Sequence, residues 1–438
     1  MRRVLYGIFW IVVYLALTIS PLLVMLVGTD RPGRPFWREF SVALGFAGLA
    51  MMGLQFLLTA RFQFITAPYG IDVIYHFHRR ISIMAFVLIL AHPIILFIED
   101  PTRLALLNVF SAPTRAVFGV SAIIALIVMI FISVKRKSIK LNYEPWRVAH
   151  GMLATLAVVF AMGHTILVGY YINTPAKRVV WIVLGVIWIG ALLYVRIIKP
   201  LLLLKNPYKI QSIRHERGGA NTIVLVPDGH RGMKFSPGQF AWLTMKHSPF
   251  IVGEHPFSIS SSAMRTDTIE LTIKELGDFT RGIRSVKPET RAYLDGPYGA
   301  FSIDMEMAPA YVFIAGGVGI TPMMSMLRTM ADRRDARSVV LIYGNKTWDD
   351  VIFREELDEL THCMNLKIVH VLEKPPADWT GETGYITAAM LAKHLPEDRL
   401  HREYFLCGPV VMMNAVDNSL RQLGIPIENT HSEPFDLV

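Results

Sequence analysis

Over its first 200 residues this chain gathers its apolar positions into long runs, with none of the alternation of a half-buried strand. Mostly apolar runs of about 20 residues or more fall near 4–27, 40–60, 79–98, 116–134, 148–170 and 179–198, each long enough for a helix to cross a ~30 Å hydrocarbon core. Six transmembrane helices are predicted. The first opens on Met1-Arg2-Arg3 and continues without a small-residue cleavage site, so it reads as a retained span and not a signal peptide. Beyond about Pro200 the apolar runs shorten to strand length, separated by turn signals such as Pro227-Asp228-Gly229 and Ser236-Pro237-Gly238. Short strands near 209–214, 221–226, 239–246, 255–260, 268–274 and 291–294 predict an antiparallel β-barrel. After about residue 305, strands and helices alternate: Tyr311–Ala315 and a helix from Pro322, then Val339–Tyr343 and a helix from about Asp350, with Leu366–His370 and Glu403–Cys407 later. That order predicts a parallel sheet with crossover helices. The expected organisation is a six-helix transmembrane bundle over 1–200, a barrel domain over 201–304 and an α/β domain over 305–438.

Composition agrees with a membrane half. Hydrophobic residues make up 53% of the 438, and the mean hydropathy is +0.40, too apolar for an ordinary soluble protein. Residues 1–200 carry 19 Lys/Arg against 6 Asp/Glu, and the remainder 25 against 29. The net +9 is therefore a property of the membrane flanks, which excludes a nucleic-acid footprint. Arg2, Arg3, Arg61, Arg79, Arg80, Lys135, Arg136, Lys137, Lys140, Arg196, Lys199 and Lys205 fall on one side of a six-span bundle. Arg31, Arg34, Arg38, Arg103, Arg115, Lys177 and Arg178 fall on the other. The larger group marks the cytoplasmic side of a cell (inner) membrane, with both termini and the soluble half on that side.

Four histidines interrupt the apolar runs in two matched pairs, His78 with His92 and His150 with His164, each spaced by 14 residues. At about 100° and ~1.5 Å per residue, 14 residues return to within roughly 40° of the same face and climb about 21 Å. Two spans packed side by side then present two imidazoles at each of two depths: His78 with His150, and His92 with His164. An imidazole in lipid needs a partner. Two facing imidazoles supply both axial ligands of a six-coordinate haem iron, so two b-type haems stacked across the membrane account for all four. His76, 16 residues from His92, lies about 160° around the helix and is off that face. Buried histidines bonded to helix carbonyls are the plain alternative.

In the α/β region, Ala315-Gly316-Gly317-Val318-Gly319-Ile320-Thr321-Pro322 ends a strand and opens a helix, a combination suited to a pyrophosphate. Cys407-Gly408-Pro409 makes the same strand-to-helix transition at the same carboxyl edge. Lys346, just after the second strand of this domain, could meet the 2′-phosphate of NADPH, whereas Asp349 and Asp350 beside it favour NADH. The only two cysteines, Cys363 and Cys407, are too few to ligate an iron–sulfur cluster. No D-x-[DN]-x-[DN]-G calcium loop occurs. The Met323-Met324-Ser325-Met326 and Met412-Met413 stretches read as helix packing.

The barrel contributes His255-Pro256-Phe257-Ser258, Gly277-Asp278-Phe279-Thr280 and Gly296-Pro297-Tyr298-Gly299. With the paired histidines and the nucleotide loop, these motifs make the chain resemble the flavocytochrome b superfamily of NADPH oxidases and ferric reductases, in particular its short prokaryotic members. Its soluble half resembles the ferredoxin-NADP reductase fold. The resemblance spans essentially the whole chain and implies an NAD(P)H oxidoreductase with FAD, two haem b groups and NADPH or NADH as cofactors. It implies that His255 and Thr280, with Pro256, Lys274 and donors near Gly277, hold FAD, that Phe257 packs on the isoalloxazine and that Ser258 approaches N5. Gly316, Gly317, Gly319, Thr321 and Pro322 then hold the dinucleotide pyrophosphate, and Cys407, Gly408 and Pro409 border the nicotinamide. Phe435 matches the family's near-terminal aromatic over the flavin, although here Asp436-Leu437-Val438 follow it. Cys407, Phe435 and Ser258 are thus the expected residues at the reacting centre. Dioxygen or a ferric chelate is the expected acceptor, with a protein or quinone partner as the remaining alternative. Leu96 stands where animal oxidases of the family place a further histidine. Activity without an obligatory protein subunit is expected.

Overall fold

The computed structural model describes residues 2–27, 33–62, 71–245 and 248–433. The chain divides into two compact units, one of helices ending at Lys199 and one running on from Pro200.

Uninterrupted apolar sequence in the first unit folds as six long helices: α1 (Arg2–Leu26), α2 (Phe36–Thr59), α3 (Ile71–Glu99), α4 (Thr114–Lys135), α5 (Tyr143–Val168) and α6 (Pro175–Leu193). α6 passes through a π turn at Tyr194–Ile198 into α7 (Lys199–Lys205). All six spans are long and apolar enough to cross a membrane. Their ends follow capping chemistry. Gly169, at φ 62°, ends α5, with its N–H bonded to Thr165 O, and the Thr174 hydroxyl caps the start of α6 ahead of Pro175. Trp181 and Trp188 are fully buried in the bundle core. A Cβ on Gly53 would lie 2.2 Å from the Trp188 ring, so α2 and α6 meet there only because the residue is glycine. Large side chains such as Ile98 and Val134 stay 75% and 72% exposed, so lipid must cover them. The third helix starts at Ile71, eight residues before the apolar run at 79–98. Asp72, His76, Arg79 and Arg80 interrupt the hydropathy without breaking the helix, and His78 sits two turns inside it.

In the second unit the expected short strands form β1 (Tyr208–His215), β2 (Ala220–Pro227), β3 (Phe240–Met245), β4 (His255–Ser258), β5 (Ile269–Lys274) and β6 (Arg291–Tyr298). They pair in the order β4-β3-β6-β1-β2-β5, antiparallel throughout. An isolated bridge from Ile259 to Leu271 joins the two end strands and curls the sheet into a barrel around Ile210, Ile223, Leu225, Leu243 and Leu271. A short helix α8 (Asp278–Arg281) follows β5. The α/β part is a parallel sheet of β7 (Ala310–Gly316), β8 (Ser338–Asn345), β9 (Leu366–Leu372), β10 (Glu382–Thr383), β11 (Glu403–Cys407) and β12 (Thr430–Ser432). The order β10-β9-β8-β7-β11-β12 reverses direction between β7 and β11. Helices α9 (Ile320–Asp332), α10 (Arg354–Cys363), α11 (Ala388–His394) and α12 (Val410–Gln422) connect them. Met323, Met324 and Met326 are wholly buried between α9 and the sheet, as packing residues should be.

Candidate functional site

The four histidines meet in the expected pairs. His78 of α3 faces His150 of α5 with ring centres 6.3 Å apart, and His92 faces His164 with ring centres 6.4 Å apart. His76 is exposed and belongs to neither pair. Two metal–nitrogen bonds of about 2.0–2.1 Å, each extended by roughly 1.1 Å from nitrogen to ring centre, add up to a little over 6 Å. The two separations therefore suit one metal ion held between each pair of rings.

Hydrogen bonding fixes which nitrogen each ring offers. Met51 O can only accept, so the Gln55 Nε2 that lies 3.0 Å from it is the amide nitrogen, and Oε1 faces His78 Nδ1 at 2.9 Å. His78 Nδ1 must then donate, which leaves the lone pair on Nε2. Ser133 Oγ gives its own hydrogen to Met129 O at 2.7 Å and accepts from Trp146 Nε1 at 3.3 Å, so it accepts from His150 Nδ1 at 3.1 Å. His92 Nδ1 donates to Ser41 O at 3.0 Å, with Ser41 Oγ at 3.2 Å, and His164 Nδ1 donates to Arg115 O at 2.7 Å. All four rings thus keep the Nε2 lone pair for a metal. Gly45 and Gly119 make room behind two of them: a Cβ would lie 3.2 Å from His92 Cγ and 2.9 Å from His164 Nδ1. Among the described residues no cluster of three or more His, Cys, Asp or Glu could hold a bare metal ion. Each pair sets two imidazole nitrogens face to face, a donor set that would fit the iron of a haem.

The nucleotide loop lies at the switch point of the parallel sheet, where ligands bind in such folds. Gly317, at φ 54°, turns its missing side chain toward open space. A Cβ on Gly319 would lie 2.2 Å from Cys407 O, and one on Gly316 2.6 Å from Met412 Sδ. These two glycines let the turn after β7 pass directly against Cys407, Gly408 and Pro409 at the end of β11, so the two segments lie in contact at one edge of the sheet. Tyr343 Oη ties the loop by donating to Gly317 O at 2.9 Å. Thr321 is buried and donates to Val318 O at 3.0 Å, and Pro322 is buried beside it, so both shape the turn from within. Cys407 is fully buried and its thiol donates to Glu433 O at 3.2 Å. Burial, with the Glu433 carboxylate nearby, pushes that thiol well above its ordinary range, so it remains neutral.

On the barrel, the antiparallel bridge from Ile259 to Leu271 sets the strand β4 against the segment after β5, and the His255 and Phe279 rings touch with centres 4.0 Å apart. Phe257 stacks on Phe279 at 6.0 Å, Ser258 is buried, and Lys274 closes β5. Pro256, in the middle of β4, has no N–H to donate at this sheet end. The residues expected at FAD therefore gather at one end of the barrel. Thr280 Oγ1 accepts from the Leu276 and Gly277 amides at 2.9 and 2.8 Å, so these donors shape the turn. Gly277 has open space where a Cβ would stand. Phe435 lies outside the described residues.

Three features escaped sequence reasoning. Gln55, Ser41 and Ser133 orient the histidines from neighbouring helices, and only a polar residue at an inward helix position could have hinted at them. Phe279 lies in a quoted motif but received no role. Arg328 of α9, with 13% of its side chain exposed, ties the barrel to the α/β domain: it bonds Glu356 through two nitrogens at 2.6 Å each, Glu270 at 2.8 Å and Ser260 O at 2.8 Å. Ser325 Oγ to Ser261 O at 2.8 Å and the Ala263 amide to Thr329 Oγ1 at 2.9 Å complete the seam.

Comparison with known proteins matches residues 44–162 to the family described as ferric reductase like transmembrane component, residues 219–302 to an FAD-binding domain, and residues 313–418 to the oxidoreductase NAD-binding domain. Among curated proteins the chain is 36% identical over 160 residues to NADH-cytochrome b5 reductase 1 of Debaryomyces hansenii, covering 35% of this chain and 56% of that protein. It is 31% identical over 192 residues to NADH-cytochrome b5 reductase 2 of Scheffersomyces stipitis, covering 40% and 64%. The matched stretch thus spans less than two thirds of either relative. Among solved structures, a flavohemoglobin from Malassezia yamatoensis with bound FAD and heme aligns over 92% of this chain and 98% of its own, at 16% identity and a TM-score of 0.50. That likeness is one of fold. A ferric-reductase-like membrane component, followed in order by FAD-binding and NAD-binding domains, gives the chain the domain architecture of the flavocytochrome b superfamily of NADPH oxidases and ferric reductases.

Proposed function

We propose that this chain takes electrons from NADPH or NADH on the cytoplasmic side of a cell membrane, passes them through FAD and two bis-histidine b haems, and delivers them singly across the membrane, with dioxygen reduced to superoxide as the leading outcome. FAD supplies the conversion of a two-electron hydride into single electrons, and haem iron their carriage one at a time. The observation that carries the reading is the two facing imidazole pairs, with every Nδ1 committed to an acceptor and every Nε2 left to a metal. In this reading His78, His150, His92 and His164 ligate iron. His255, Pro256, Phe257, Ser258, Lys274, Gly277 and Thr280 form the flavin end of the barrel. The loop from Gly316 to Pro322 seats the dinucleotide, while Cys407 closes the nicotinamide side as a neutral, packed thiol. With all four histidines given to iron, an acceptor would have to take its electron without binding the metal, so access would matter more than a further ligand.

For the coenzyme, Lys346 is exposed after β8 and free to meet a 2′-phosphate, while the Asp350 carboxylate accepts from Thr347 N and Oγ1 at 3.1 and 2.7 Å. This favours NADPH. The relatives are named for NADH, which makes NADH the competing donor.

The test is an anaerobic spectrum of the purified protein with FAD and NADPH, then NADH, followed by admission of air with a superoxide trap. Bis-histidine b bands that appear with the donor and collapse in air, at a rate matched by trapped superoxide, are the expected result. A second reading, ferric-chelate reductase, is favoured by the family of the membrane component and by Leu96. Haem that reoxidises slowly in air and rapidly with a ferric chelate selects it, and silence toward both selects a protein or quinone partner. Replacing His92 or His164 with Leu should remove one haem of two and stop delivery while leaving flavin reduction by the donor intact; unchanged haem content in both variants would overturn the ligand assignment.

A further inference from the structure

The two histidine pairs differ in what holds them. His92 and His164 each donate to a main-chain carbonyl, Ser41 O, with Ser41 Oγ beside it at 3.2 Å, and Arg115 O, and no side-chain substitution removes these carbonyls. His78 and His150 donate to side chains, the Gln55 amide and the Ser133 hydroxyl. Ser133 is committed on three sides, to Met129 O, Trp146 Nε1 and His150 Nδ1. Gln55 is 7% exposed, sits in α2 and is itself oriented: its Nε2 donates to Met51 O at 3.0 Å and lies 3.4 Å from Tyr14 Oη. A reversed amide would turn its NH2 on His78 Nδ1, move the ring proton to Nε2 and remove the lone pair a metal needs.

We infer that Gln55 is a positioning residue which holds His78 as an Nε2 ligand and sets the midpoint potential of one of the two haems independently of the other. The inference rests on the haem reading above. Its physical basis is electron donation through the ring. An acceptor on Nδ1–H makes the imidazole a more basic ligand, favours the ferric state and lowers the potential, and loss of the acceptor does the reverse. Because the other pair hangs on main-chain carbonyls, a change at residue 55 should not reach it.

The experiment is a spectroelectrochemical titration of the purified, haem-loaded full chain, comparing the parent with Gln55→Met, which keeps the length and loses the acceptor, and with Gln55→Glu, which keeps the length and strengthens it. In the parent, two one-electron transitions are expected. Gln55→Met should raise one of them by a shift equivalent to about tenfold in the oxidised-to-reduced ratio, about 59 mV for a one-electron couple, and leave the other in place. Gln55→Glu should move the same transition the opposite way, which keeps the test decisive if the Met variant fails to fold. Two haem transitions in the parent that stay put in the variants overturn the role of Gln55 and spare the haem reading. No Soret band in the parent overturns both.

Discussion

Single atoms decide how much the histidine pairs tolerate. Gly119 stands behind His164, where an added Cβ would lie 2.9 Å from an Nδ1 already bonded at 2.7 Å to Arg115 O. Gly119→Ala should therefore displace that ring, cost about 1–3 kcal/mol by overpacking and, under the proposed haem ligation, lower the haem content from two per chain toward one, measured by pyridine haemochrome against protein. In the α/β domain, His370 packs edge-on against Trp348 at 5.0 Å, and among the described residues its buried Nδ1 has no hydrogen-bond partner. Burial, and next the Arg354 charge, hold its pKa down to about 4 from an ordinary 6.5. The folded form prefers the neutral ring, so as pH falls the unfolded chain takes up the proton first. The contribution of His370 to stability is whole above pH 6.5 and is lost progressively as pH falls toward 4. Urea unfolding at pH 7.5 and pH 5 should show this loss, and His370→Phe, which keeps the ring contact, should lessen it.

Between elements, the seam at Arg328 does for the second unit what the histidine partners do for the bundle. One guanidinium on α9 satisfies two carboxylates, Glu356 on α10 and Glu270 on β5, and so fixes the barrel against the nucleotide domain. Breaking a buried pair by removing one partner costs about 3–5 kcal/mol, because the stranded charges remain buried. Arg328→Met should lower the melting temperature of the full chain and slow flavin reduction by NADPH in stopped flow; a variant with unchanged melting and unchanged flavin reduction would show that the seam is idle. This is also the scale at which reading the sequence stopped. The histidine pairing was legible because a 14-residue step on a helix fixes both face and height, so His78, His92, His150 and His164 could be matched without a structure. The glycine loop was legible because strand, glycines and helix follow one another in the chain. Gln55, Ser133 and Arg328 were not, because each acts on a residue 17 or more positions away across a packing contact that no local period encodes. The start of α3 at Ile71 escaped for another reason: the helix runs through charged residues that hydropathy treats as its end.

For the whole molecule, the parts taken from the C-terminus back to the N-terminus follow the order in which electrons would leave a hydride donor in the proposed function: nucleotide domain, FAD-binding barrel, then the bundle with its two histidine pairs. Reconstituted in sealed vesicles with the donor on one side and an acceptor on the other, the chain should oxidise NADPH at a rate that an ionophore carrying potassium raises, followed by absorbance at 340 nm; a rate indifferent to the ionophore would count against delivery across the bilayer. The reason lies in the imidazoles. A histidine relays protons only by giving one up at one nitrogen while taking another at the second, and here each Nδ1–H is held by a fixed acceptor while each Nε2 is reserved for metal. With haem held there as proposed, these four imidazoles would give electrons a path across the bilayer and offer protons none. Every turnover would then polarise the membrane, and sustained output would depend on some other route by which positive charge follows.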